Sequence, residues 1–214
     1  VMEPIQQRIF DALAERRPDL ADMYRAAIDQ LRVSRGEVGA RTRISYICHS
    51  MREVMNRIIT AMGRPIAPAV KPSTSERVQQ LPDLLSRFPD LQFDVGQEIV
   101  PIPRDVAVAM ESLFKAAVQE KRRSRDDVAA LLTDDGNTAH AAVSKWIESR
   151  GFFVKWAHIH DRVVPSAELP SDDEIKAHIA TFETLFDGVI TQFFTARQSI
   201  EDLLAEINDK GDAA

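Results

Sequence analysis

Toward the end of the sequence, Ile175, Ile179, Phe182, Phe186, Val189, Phe193, Ala196, Ile200, Leu203 and Ile207 follow one another in alternating steps of four and three. A repeat averaging 3.5 residues puts all ten on one seam of an α-helix that packs lengthwise against another helix. Ser171 with Glu174 three residues later forms a capping box at its start, and Asp172 and Asp173 suit the positive end of the helix dipole. At a rise of 1.5 Å per residue such a helix is about 50 Å long. Either the rest of the chain lies along it, or part of the stripe is covered by a second copy or a partner protein through residues 175–207.

The preceding sequence repeats the helical period. Ile5, Ile9 and Leu13 follow Pro4, and Arg17-Pro18-Asp19 breaks that helix before a second at about 20–33. A third, at about 38–62, carries Ile44, Ile47, Cys48, Met51, Met55, Ile58, Ile59 and Met62 as one apolar stripe ended by Gly63-Arg64-Pro65. Ser73 and Glu76 cap a short helix that Pro82 is expected to disturb. Residues 89–103 are expected to be irregular, with Glu98-Ile99-Val100 as at most a stub of strand. Helices are predicted at 104–123, from Ser124 to Leu132, and from Thr138 to Ser149. With only 8 glycines in 214 residues, the fold class is all-α: a multi-helix bundle with one long C-terminal amphipathic helix. The divisions are an N-terminal helical unit at 1–62, proline-containing loops with a short helix at 63–103, and a C-terminal helical unit at 104–214, integrated as one domain.

A net charge of −6 argues against broad, non-specific nucleic-acid binding, which needs a basic surface. The densest basic run, Lys121-Arg122-Arg123-Ser124-Arg125, reads as a solvated helix end. Cys48 is the only cysteine, which rules out an intrachain disulfide, and it lies on the apolar side of its helix as a buried thiol. No secretory leader pattern opens the sequence and no stretch reaches the length of a membrane span, so the expected location is cytoplasmic.

Chemistry concentrates between Gly151 and Pro165, where Lys155, His158, His160, Asp161 and Arg162 mix with Phe152, Phe153, Val154 and Trp156. Imidazole is the side chain most easily tuned for proton transfer near neutral pH, a carboxylate fixes its tautomer, and a neighbouring cation grips phosphate. This suits phosphodiester cleavage, with His158 as general base or acid, Lys155 and Arg162 on phosphate, and His160 and Asp161 positioning them. If 152–160 is helical, Lys155 and His158 are neighbours on one surface. The competing structural reading makes His158 a hydrogen-bonded core histidine and Asp161–Arg162 a surface pair. A metal reading of His158-x-His160 with Asp161, joined by His140 or His178, lacks the HExxH or paired-cysteine patterns that metal sites show, so no metal or other cofactor is expected. On the third helix His49, Arg52, Glu53 and Asn56 share a polar face, with His49, Arg52 and Asn56 as candidate substrate-binding residues. That strip either lines a cleft or is simply the solvated face.

The segment from about 104 to 208, with its histidine-containing turn Phe153-Val154-Lys155-Trp156-Ala157-His158 followed by a long terminal helix, resembles the HEPN superfamily (higher eukaryotes and prokaryotes nucleotide-binding domains). The resemblance implies a small helical bundle, homodimeric, binding nucleic acid or nucleotide, and acting as a metal-independent RNase in bacterial toxin or phage-defence systems. The family motif is an Arg, four to six residues, then a His. Arg43 and His49 have that spacing but fall on the third helix, while seven residues separate Arg150 from His158. The alternative reading is a non-catalytic protein–protein interaction module.

Overall fold

A computed structural model describes residues 2–33, 39–63, 68–91, 93, 99–158, 165 and 168–211, with side chains described as far as Gln192. Among the described residues there are α-helices and no strands. Helices α1 (Pro4–Arg16), α2 (Pro18–Arg32) and α3 (Ala40–Ala61) are followed by α4 (Thr74–Leu85) and α5 (Arg104–Leu132). The chain then forms α6 (Ala141–Trp156) and α7 (Asp172–Gly211). No described helix is long and apolar enough to cross a membrane.

Contacts divide the chain into two compact units, 1–65 with 128–214, and 66–127. In the first, Pro4 and Pro18 each stand at the start of their helix, where the missing N–H has no partner to lose. The α3 stripe reads as the sequence predicts: Ile44, Ile47, Cys48, Met51, Met55 and Ile58 are buried together with Val54. Gly63 closes the helix at a φ of 65°, a left-handed conformation open to glycine at little cost. The core continues through Val143, Trp146 and Phe153 of α6 and Ile175, Ile179, Phe182, Phe186 and Val189 of α7. Trp146, Phe182, Phe186 and Tyr24 form an aromatic run with ring centroids 5.6 to 6.0 Å apart. The first half of the C-terminal seam is therefore covered within its own chain; residues 193–207 of the stripe lie outside the described side chains.

Two polar groups are built into this core. The guanidinium of Arg43, 1% exposed, donates to the carbonyls of Gln30 (2.7 Å) and Leu31 (2.8 Å) and to Asp172 Oδ1 (2.7 Å). It ties the last turn of α2 to the first of α7. Glu183, 6% exposed, accepts on Oε1 from the Tyr24 hydroxyl at 2.6 Å and the Gln6 amide at 3.0 Å. Burial pushes the Glu183 carboxyl above its ordinary range, and the two hydrogen bonds only partly offset this. A carboxyl whose folded pKa is raised stabilises the fold fully below its unfolded pKa, and that contribution is lost as pH rises through the folded value. Glu183→Gln is therefore expected to gain stability over the wild type in urea unfolding at pH 7 to 8. The advantage should shrink to nothing near pH 4, and a constant difference across that range contradicts the assignment.

Burial also pushes the Cys48 thiol up to about 12. A thiol this desolvated is a poor nucleophile. Native protein should remain unlabelled by a thiol-reactive dye and label fully only in denaturant; rapid native labelling would contradict the packing.

In the second unit the capping box of α4 forms as expected, with Glu76 N–H donating to Ser73 Oγ and Ser73 N–H to Glu76 Oε2. Thr74 N–H reaches Glu120 Oε1 of α5 at 2.8 Å and Arg77 donates to Ser112. Several expectations are corrected here and beside it. Pro82 does not end α4: it lies in the last turns, one rung is lost, and Ser86 N–H resumes the ladder onto the Pro82 carbonyl at 3.0 Å. The helices predicted either side of Ser124 are one helix, because interior serine costs only tenths of a kcal/mol and the pairs Arg122–Asp126 and Arg123–Asp127 run across the junction. The basic run 121–125 is accordingly mid-helix rather than a helix end. The helix predicted from Thr138 starts at Ala141, where His140 Nδ1 accepts the Ala142 N–H at 3.2 Å. At 98–100, Ile99 and Val100 are not strand and Glu98 lies outside the described residues.

Candidate functional site

The polar face of α3 does not stand alone in solvent. Helix α6 packs along α3 in the opposite direction, as two hydrogen bonds fix: Arg150 Nε to Asn56 Oδ1 at 2.6 Å, and Ser45 Oγ to the Ala157 carbonyl at 2.7 Å. The second bond holds the turn after α6 against α3. His158, the next residue, is set over the middle of the α3 polar strip.

There Arg52 joins both imidazoles. Its Nη1 lies 3.0 Å from His158 Nε2 and its Nη2 lies 3.2 Å from His49 Nδ1. Guanidinium is always a donor and never an acceptor, so both of those ring nitrogens act as acceptors. The remaining ring protons are on His49 Nε2 and His158 Nδ1. Arg52 is held in turn by Glu53, whose Oε1 accepts from Nε (3.2 Å) and Nη2 (2.8 Å), while Glu53 Oε2 accepts from Arg57 at 3.0 Å. Hydrogen bonds from Arg57 and then Arg52 hold the Glu53 carboxyl below the usual carboxylate range.

Arg150 completes the arrangement. Its guanidinium has no carboxylate partner among the described residues, and burial followed by the charge of Arg52 makes its protonated form less favourable than usual. Arg52 and Arg57 share the Glu53 carboxylate and Arg150 adds a third guanidinium, a local excess of positive charge among the described residues of an acidic protein. Like charges held together in partial burial are relieved by an anion that accepts from both. Tyr46, 50% exposed, stands one turn before His49 on the same helix face.

The structure therefore brings His49, Arg52 and Asn56 together with His158, although 106 residues separate Arg52 from His158. It does not bring in Lys155. Helix α6 stops at Trp156, so Lys155 and His158 are not neighbours on a helix. The Lys155 ammonium lies over the Trp156 ring, 4.9 Å from its centroid, and makes no hydrogen bond to the described cluster. His160, Asp161 and Arg162 lie outside the described residues. His158 is exposed rather than a core histidine. The two histidines considered as further metal ligands are elsewhere: His140 caps α6, and His178 stacks on Phe152 at 4.1 Å and meets Ser149 Oγ at 3.1 Å. No three His, Cys, Asp or Glu side chains converge on a metal site among the described residues. Arg43, whose spacing to His49 fits the HEPN motif, is committed to the core.

Sequence reasoning missed Arg150 and Tyr46 as site residues. Tyr46 had a signal, since Tyr46, His49, Glu53 and Asn56 recur at helical spacing. No protein-family model, curated protein or solved structure matches this chain.

Proposed function

We propose that the protein binds the phosphodiester backbone of single-stranded RNA at the Arg52–His158–His49–Arg150 cluster and cleaves it without a metal. What supports the reading is one arrangement: a guanidinium bridging two imidazoles across α3 and the turn after α6, beside a second guanidinium that has no carboxylate partner among the described residues. A phosphate oxygen takes the place of the ring nitrogens as acceptor for Arg52, which frees His158 Nε2. That nitrogen removes the proton of the ribose 2′-hydroxyl, the 2′-oxygen attacks the adjacent phosphorus, and the bond to the 5′-oxygen breaks. His49, as general acid, gives a proton to the leaving oxygen, and the products are a 2′,3′-cyclic phosphate and a 5′-hydroxyl. Arg52 holds the charge that develops on phosphorus, Arg150 adds a contact to the backbone phosphate, and Arg162 joins them on phosphate with His160 and Asp161 positioning it, as the sequence suggests. Tyr46 supplies a face on which an unpaired base stacks. Function in the cytoplasm, in a toxin or defence setting like that of HEPN domains, belongs to the same reading.

The test is an end-labelled RNA oligonucleotide incubated with protein in the presence of a chelator, alongside the same sequence as DNA. RNA should be cut to products ending in a cyclic phosphate, DNA left intact, and His158→Ala inactive while still folded. Intact RNA with wild-type protein, or equal cutting by His158→Ala, overturns the proposal.

A second reading, a protein-interaction module, draws on the exposed apolar residues of the 66–127 unit. Val78, Val108, Phe114 and Val118 are each about half exposed or more, whereas the described part of the α7 seam is internal. In that reading a partner protein covers α5, or a second copy is held through residues 193–207. Phe114→Asp should then abolish a complex seen by light scattering and leave a monomer unchanged.

A further inference from the structure

The 66–127 unit has almost nothing packed inside it. Among its described residues only Val106 and Ala116 are buried, and α4 has no buried residue. Apolar surface on α5 is open instead, with Phe114 61% and Val118 68% exposed. A unit of this length with so small a core closes its apolar face against another molecule. Along α5, Ala107, Glu111, Phe114, Val118, Lys121 and Arg125 follow one another in alternating steps of four and three, the spacing by which one helix lies along another. The first five are exposed and Arg125 is half-buried. Phe114 and Val118 stand at the middle of this seam, with an acid three residues before them and a base three residues after.

We propose that α5 is covered by a second copy of itself, antiparallel, about a two-fold axis level with Ala116; this makes specific the interaction-module reading, on which it rests. The order of residues along the seam selects that partner and that direction. In the antiparallel pair Phe114 meets the partner's Val118 and Val118 the partner's Phe114. Glu111 then faces the partner's Lys121 at one end, and Lys121 the partner's Glu111 at the other. Ala107 lies beside the aliphatic stem of the partner's Arg125. Every apolar residue at the centre has an apolar partner and each of these charges its opposite, as a two-fold interface between identical surfaces requires. A parallel pair sets Glu111 on Glu111 and Lys121 on Lys121, so the seam complements itself in one direction only. The charges are at hand. The Lys121 ammonium makes no ion pair among the described residues. Glu111 meets Lys115 of its own helix at 2.5 Å, with side chains 63% and 71% exposed, and the partner's Lys121 joins that surface pair without displacing it. The seam from Ala107 to Arg125 is about 27 Å long, a small contact of the kind that holds a dimer weakly, with a Kd on the order of 10 µM.

The test is sedimentation equilibrium of the full chain from about 1 to 500 µM, a range that brackets such a Kd. The wild type should pass from monomer to dimer. Glu111→Lys and Lys121→Glu each oppose like charges at both ends of the seam and should each weaken association tenfold or more. The two single variants mixed in equal amounts should form a heterodimer, and a chain carrying both substitutions should regain wild-type association. Both positions are exposed, so circular dichroism should show every variant folded like the wild type. A wild type that stays monomeric up to about 500 µM, about fifty times that Kd, overturns the self-pairing, as does a doubly substituted chain that fails to associate. A dimer lost in Phe114→Asp yet indifferent to both charge reversals also overturns it, while leaving α5 an interaction surface. A dimer indifferent to Phe114→Asp is held elsewhere on the chain and overturns both.

Discussion

Arg43→Ala is expected to lower the free energy of unfolding by about 3–5 kcal/mol, the cost of breaking a buried, hydrogen-bonded charge pair. The side chain is fully enclosed, and three acceptors converge on it from two other helices. Two are the carbonyls of Gln30 and Leu31, in the last turn of α2, where carbonyls have no intrahelical partner. The guanidinium thus serves as an external cap, its positive charge set against the negative end of that helix dipole. The third is Asp172, in the first turn of α7, where a carboxylate suits the positive end. Removing the arginine strands the two carbonyls, takes one ion pair from Asp172, and opens a cavity the length of the side chain. For a protein of this size the melting temperature should fall by on the order of 10 °C. Arg43→Lys should recover only part of the loss, because one ammonium cannot reproduce a planar fork aimed at three oxygens. Asp172→Asn, which keeps an acceptor, should cost less than Arg43→Ala. If Arg43→Ala unfolds within 1 kcal/mol of the wild type, the helices α2, α3 and α7 are not pinned in this way.

Arg43 also shows where sequence reasoning runs out. The stripe of α3 and the opening half of the α7 seam are legible because burial follows the helical period, and the capping boxes at Ser73 and Ser171 are legible because they are local. A buried arginine is not: its partners are 13, 12 and 129 residues away, and neighbouring Ile44 gives no hint that the charge points inward. The continuity of α5 was hidden for the opposite reason, since Ser124 is a competent cap that tertiary context leaves mid-helix. The candidate site divides along the same line. His49, Arg52 and Asn56 are visible as one face of one helix. His158 is visible as a titratable group after another. Their meeting depends on antiparallel packing of α3 and α6 and on the Ser45–Ala157 hydrogen bond, and neither leaves a periodic trace. Arg150 fits no motif spacing to His158, with seven residues between them. That spacing has no bearing on a site whose parts come from facing helices.

His158→Ala is expected to reduce RNA cleavage by about 10²–10⁴-fold, the usual contribution of a positioned general base or acid. The loss should appear in kcat more than in KM, since the imidazole acts on the ribose hydroxyl while the guanidinium groups carry the phosphate. Arg52→Ala should cost at least as much, because Arg52 lies between His49 and His158 and holds the reacting phosphate there. Arg52→Lys should fail to restore activity, as a single ammonium lacks the planar fork that grips a phosphate at two oxygens. Combining His158→Ala with Arg52→Ala should cost little more than either alone, as for groups that act as a unit. Arg150→Ala behaves differently in this scheme. Its guanidinium meets Asn56 and no ring nitrogen of the cluster, so its loss weakens RNA binding and lowers the dependence of log K on log salt by about 0.7, one single-strand phosphate contact. Cleavage of bound RNA by Arg150→Ala should persist. Additive losses for His158 and Arg52, or an unchanged salt slope for Arg150→Ala, would mean that the guanidinium–imidazole cluster clamps α3 to α6 and meets no phosphate.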